Sequence, residues 1–130
     1  MHNGSAILDT NIVIGFLNGE TNIISRISTV AQIYISSITI GELLFGAACS
    51  KNAHKNIQKI QLFISQCRIL VIDPQTAREY SEIKLKLKIK GKPIPENDIW
   101  LAAQSQQHRL PLFTQDNHFS EVSGIQIEKL

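Results

Sequence analysis

Short apolar runs alternate with helix-period patterns along this 130-residue chain, and that alternation restricts the fold more than any other feature. Ala6 to Leu8 reads as a short buried strand. Thr10-Asn11 can cap a helix running to about Leu17, where Asn18-Gly19 ends it. Ile23, Ile24, Ile27 and Val30 recur at helical spacing and lead into the β-rich run Ile33-Tyr34-Ile35. Ser36 and Ser37 then offer caps for a helix whose core face is Leu43, Leu44, Ala47 and Ala48. Lys51 to Gln66 is amphipathic through Ile57, Ile60 and Ile64, and Ile69 to Ile72 reads as another buried strand. Asp73-Pro74 opens a helix at Pro74, Pro93 and Pro95 punctuate the chain, and Pro111 to Thr114 and Ile125 to Ile127 close it as two short strands. One stretch carries two periods. Lys84 to Lys90 alternates like a strand, whereas Tyr80, Ile83 and Leu87 keep helical spacing, and leucine and lysine favour the helix. The pattern as a whole predicts an α/β domain with a parallel sheet and right-handed crossovers.

The length leaves room for one domain, residues 1–130, with one core. A hydrophobic content of 43% excludes disorder, and a net charge of +2 makes no case by itself for nucleic acid. Cys49 and Cys67 have neither CxxC spacing nor paired histidines, so two reduced thiols are expected. The apolar start is broken by Asp9, Asn11 and Gly15, and a membrane span needs about 20 apolar residues. A cytoplasmic protein with no membrane contact is the expectation.

Four of the eleven acidic residues stand out by their surroundings. Asp9 and Asp116 each follow an apolar run that reads as a strand, and Glu42 and Asp98 fall in the early turns of apolar helices. Strand carboxyl ends and helix starts share one edge of an open parallel sheet, where such folds place their sites. Caps and turns also use Asp, so each residue alone has an ordinary explanation. Four carboxylates gathered at one edge repel one another unless a cation neutralises them, and hard divalent ions take oxygen ligands of this kind. Glu20, Asp73, Glu79, Glu82, Glu96, Glu121 and Glu128 read as surface or turn positions.

With these residues in order, the chain resembles a PIN-domain ribonuclease, most similar to the VapC-type toxins of prokaryotic toxin–antitoxin pairs. Asp9-Thr10-Asn11 resembles the family's opening Asp-Thr-Asn, and Thr39, Glu42, Leu43 and Gly46 resemble its Thr-x-x-Glu-Leu-x-x-Gly helix. Asn97-Asp98-Ile99-Trp100-Leu101-Ala102-Ala103 resembles the helix carrying its third acid. Thr114, Asp116 and Phe119 resemble its Thr-x-Asp-x-x-Phe segment. The resemblance implies a three-layer α/β/α sandwich around a short central parallel sheet. It also implies an endoribonuclease that hydrolyses RNA phosphodiester bonds with a metal-activated water. Asp9, Glu42, Asp98 and Asp116 would hold one or two magnesium or manganese ions, Asp9 with Asp98 or Asp116 directly and Glu42 through water. Thr10, Asn11 and Thr114 would orient carboxylates or the nucleophile, or serve only as caps and turn formers. The implied partners are RNA, a cognate antitoxin protein, a second copy of the chain in a homodimer, and DNA only through the antitoxin. The apolar faces of the Ile23–Val30 and Ile57–Ile64 helices could line a groove for that antitoxin.

Weaker signals remain open. Lys84, Lys88 and Lys92 share a helical face that is either a solvated surface or an RNA phosphate track. His118 reads as a turn residue that could touch substrate, and Trp100 as core or dimer interface. Three other functions compete: a PIN-domain RNA-processing nuclease that is no toxin, a non-catalytic RNA-binding module, and a receiver-like signalling module. The receiver lacks its acidic pair, and a haloacid-dehalogenase-type phosphatase would want Asp where Asn11 stands.

Overall fold

A computed structural model describes residues 4–130. Five parallel strands form one sheet in the order β3-β2-β1-β4-β5: β1 Ser5–Leu8, β2 Gln32–Ser36, β3 Arg68–Leu70, β4 Leu112–Thr114 and β5 Ile127–Lys129. Six helices connect them: α1 Thr10–Leu17, α2 Thr21–Ile27, α3 Ser37–Ala48, α4 Ala53–Ile64, α5 Pro74–Lys90 and α6 Glu96–His108. A short 3-10 segment, Asn117–Glu121, follows β4.

The period of two in β1 divides the core between the two sheet faces. Ala6 and Leu8 pack with Ile12, Val13, Ile23, Leu43, Ile60 and Phe63, so α1 to α4 cover one face. Ile7 points the other way, against Ile83, Leu87, Ile99 and Ala102 of α5 and α6. The result is the three-layer sandwich. From β1 the chain moves outward to β2 and β3, then crosses back to place β4 on the other side of β1. The strand order therefore reverses at the β1/β4 boundary. The carboxyl end of such a boundary opens into a crevice, because the flanking connections leave in opposite directions.

Asp73 opens α5 as expected: its carboxylate accepts Thr76 N while Thr76 Oγ1 accepts Asp73 N, with Pro74 at the first helical position. Gly91, at φ 71, closes α5, so the period-two lysine stretch is helical. Five expectations are corrected. The cap of α1 is Asp9, whose carboxylate accepts Thr10 N, and not Thr10-Asn11. Ala48 is exposed and outside the core. Val30 lies beyond the end of α2, although it still packs on the core. β3 is an exposed edge strand, with Ile69 49% exposed, because the sheet order puts it outermost. β5 begins at Ile127, two residues later than read, where its register with Leu112, Phe113 and Thr114 starts.

Candidate active site

Each of the four predicted acids is delivered by a different element. Asp9 follows the last residue of β1 and is buried. Asp116 lies just past β4 and caps the 3-10 segment, accepting His118 N at 2.8 Å. Asp98 stands in the first turn of α6, and Glu42 lies in the second turn of α3. All four line one cleft of about 480 Å³, together with Thr10, Asn11, Pro95, Glu96 and Asn97. The cleft lies at the carboxyl end of β1 and β4, where the strand order reverses.

Hydrogen bonds fix the carboxylates unequally. Asp9 Oδ1 accepts Thr10 N at 2.8 Å, and Asp9 Oδ2 accepts the Thr114 hydroxyl at 2.7 Å. Thr114 Oγ1 in turn accepts Asp116 N at 2.9 Å, so one buried threonine sets the spacing of two acids. Both oxygens of Glu42 are engaged as well, by Thr10 Oγ1 at 2.5 Å and Asn97 Nδ2 at 3.2 Å. Thr10 and Thr114 thus each donate a hydroxyl to a carboxylate of the cleft, and Asn11 lines it.

Crowding shows in the proton affinities. Burial pushes the Asp98 carboxyl up to about 6, against the hydrogen bond from His118, and the charges of Asp9 and Asp116 add to the rise. Asp9 is also raised, first by burial and then by Asp116 and Glu42, although Thr114 and Thr10 hold it down in part. Desolvated carboxylates that raise one another's pKa are the arrangement a divalent cation relieves. This donor set fits a magnesium- or manganese-class ion.

Two residues beside the acids make contacts that no local sequence pattern shows. His118 is no simple turn residue: its Nδ1 stands 2.9 Å from Asp116 Oδ1 and 3.2 Å from Asp98 Oδ2. Glu96, read as a surface position, lies on the cleft wall, where it accepts from the Tyr80 hydroxyl and pairs with Lys84 at 3.1 Å. Lys84 therefore reaches the rim, whereas Lys88 and Lys92 show no ion pair among the described residues. Trp100 is half-buried and stacks on Tyr80, ring centroids 3.9 Å apart. Cys49 and Cys67 are free thiols, as expected.

A second concavity, of about 300 Å³, adjoins the cleft through Glu42, which lines both. Its apolar wall is Ile14, Leu17, Leu43, Ala47 and Ile60, from α1, α3 and α4. The expected groove is thus half corrected: α4 contributes, but Ile23 and Ile27 of α2 are consumed by the core.

Residues 6–125 match the sequence model of the PIN domain. The chain belongs to the PIN domain family. Among its PIN relatives is Ribonuclease VapC2 of Haemophilus influenzae, 37% identical over 125 residues that span 94% of this chain and 95% of the relative. The tRNA(fMet)-specific endonuclease VapC of Salmonella typhimurium is 32% identical, covering 94% of this chain and 95% of the relative. The fold superposes on the DNA-bound VapBC structure from Salmonella typhimurium with a TM-score of 0.90 at 30% identity, over 98% of both chains. This PIN domain is therefore of the VapC type, and the four acids that carry the motif resemblance line one cleft. No helix among the described residues is long and apolar enough to cross a membrane.

Proposed function

We propose that this chain acts, as a single PIN domain, as a magnesium- or manganese-dependent endoribonuclease and as the cytoplasmic toxin of a toxin–antitoxin pair. The observation that carries the proposal is the convergence of Asp9, Glu42, Asp98 and Asp116 on one cleft at the strand-order reversal, in a chain whose relatives are VapC ribonucleases. A divalent cation held there supplies a nucleophilic water at neutral pH and offsets the charge that develops on phosphorus and the leaving oxygen.

The chain's own residues divide the remaining work. Asp9, Asp98 and Asp116 would hold the ion directly. Glu42 is exposed where Asp9 is buried, and it would act through water while Thr10 and Asn97 hold its two oxygens. Thr114 holds Asp9 and the Asp116 backbone in register, and Thr10 orients Asp9 and Glu42. Asn11 stands on the cleft wall, within reach of the RNA backbone. Lys84, at the rim, draws RNA phosphate toward an otherwise acidic cleft, with Lys88 one turn further along α5; Lys92 lies past the Gly91 cap, off the helical face it was expected to share.

The cognate antitoxin covers the site. An Arg or Lys from the antitoxin enters the acidic cleft while an apolar segment fills the groove between α1, α3 and α4, the two being contiguous at Glu42. Two copies of the chain pair as a homodimer, and DNA is met only through the antitoxin. The test is direct. Purified chain should cleave RNA in manganese or magnesium and stop on chelation, and Asp116→Asn should lose at least about a hundredfold in rate. Expression should arrest growth, with the partner encoded beside it restoring growth. Near-normal cleavage by Asp116→Asn, or growth arrest that survives that change, would remove the nuclease site from the explanation.

A further inference from the structure

His118 has no place in the roles above, yet its position is closely determined. Asp98, Asp116 and His118 each present one donor atom, and the three atoms lie within 4.8 Å of one another. The ring is held there by backbone: Asp116 Oδ1 accepts His118 N, Asp116 N donates to Thr114 Oγ1, and Thr114 donates to Asp9. The imidazole is thus tied to the same strand ends that hold two of the acids. It bridges to the third, Asp98, on α6, the helix against which the 3-10 segment packs.

We propose that His118 is a nitrogen ligand of the cation in this cleft, through Nδ1, and that the site prefers a first-row transition dication to magnesium. The inference rests on the nuclease reading above and deepens it. Magnesium demands oxygen donors and gives up water reluctantly, so an imidazole adds little to its binding. Transition dications accept imidazole nitrogen readily, and a set of carboxylates with one histidine discriminates in their favour. The tautomer is consistent with this role. With no ion, Nδ1 faces the two carboxylates. When Nδ1 serves as a donor to a cation, Nε2 carries the ring proton, which the half-exposed side chain permits.

Manganese is the probe, because it is paramagnetic and its directly bound nitrogen is visible by pulsed electron paramagnetic resonance. The full chain loaded with Mn²⁺ should show ¹⁴N modulation from a coordinated imidazole, absent in His118→Ala and His118→Asn. Competition titrations should give a manganese affinity about tenfold weaker in both variants, with magnesium affinity changed by less than about twofold. Metal-free melting curves establish that both variants are folded. Wild-type chain that binds Mn²⁺ without nitrogen modulation would overturn the proposal and leave the nuclease reading intact. So would equal losses for the two metals, which would mean that His118 only positions carboxylates. Failure to bind either ion would remove the proposal and the metal-dependent reading together.

Discussion

Asp98→Asn separates the cost of the acidic cleft from its use. Asp98 has a carboxyl pKa of about 6 against an ordinary 3.8, with burial the largest cause. At about 1.4 kcal/mol per unit, that rise corresponds to roughly 3 kcal/mol by which the charged form weakens the metal-free fold. Asparagine keeps the shape, and its carbonyl can still accept from His118. Burying the amide returns about 1 kcal/mol of the gain, leaving roughly 2 kcal/mol, or about 6–8 °C in melting temperature for a chain of this size.

The sign with pH follows from linkage. The folded state binds more protons than the unfolded state between pH 3.8 and about 6, so wild-type stability falls as pH rises through that window. The penalty is complete above it. The variant should therefore melt higher than wild type in chelator at pH 8, with the gap closing as pH drops below 6. Manganese at about 100 times its Kd should add roughly 2.7 kcal/mol to wild type and far less to the variant, inverting the order. The assay is thermal unfolding followed by circular dichroism, with and without chelator, from pH 8 to pH 5. A variant less stable than wild type in chelator at pH 8, or a gap flat across that range, would refute the electrostatic account of the cleft.

Other outcomes follow from single contacts. Thr114→Val removes the hydroxyl that links Asp9 to the Asp116 backbone, so it should destabilise the fold by about 1–3 kcal/mol and slow RNA cleavage; an unchanged rate would deny Thr114 its orienting role. Lys84→Gln should lower the salt slope of RNA binding by about one unit, measured with an uncleaved RNA in chelator, and an unaltered slope would return Lys84 to the solvated surface. Gly46→Arg places a long cation in the apolar groove, where a Cβ meets nothing within 4 Å. It should preserve RNA cleavage but escape the antitoxin in co-expression, and continued neutralisation would move the antitoxin elsewhere.

What was legible in the sequence is what depends on neighbours along the chain. Asp9 and Asp116 could be read as strand ends because the apolar runs stop just before them. Asp98 and Glu42 could be read as helix-start acids because their caps and apolar periods are local. The α5 entry was legible for the same reason, since Asp73, Pro74 and Thr76 form a closed local motif. His118 was not, because its contact with Asp98 spans 20 residues and depends on how the 3-10 segment rests against α6. Glu96 is exposed, as read, while its contacts with Tyr80 and Lys84 on another helix leave no local sign. The exposure of Ile69 follows from β3 being outermost, and strand order is a long-range property with no local signature. The groove was half read for a similar reason: α2 and α4 are both amphipathic, and only packing decides which stripe is consumed by the core.

The division of the four acids among elements explains why the same cleft suits both catalysis and inhibition. Glu42 is carried by α3 in one helical layer, Asp98 by α6 in the other, and Asp9 and Asp116 sit at the end of the sheet between them. Beyond burial, the largest cause, the charges of Asp116 and Glu42 raise Asp9 and those of Asp9 and Asp116 raise Asp98, so charge from both layers meets at the carboxyl edge of the sheet. Under the proposed reading, a cation held in the cleft would be shared by the strand ends and α6, with Glu42 of α3 reaching it through water. A lysine or arginine from a partner would supply one positive charge that cannot activate water. Displacing a dication with such a side chain would relieve the repulsion only in part, one charge standing for two, while removing the chemistry.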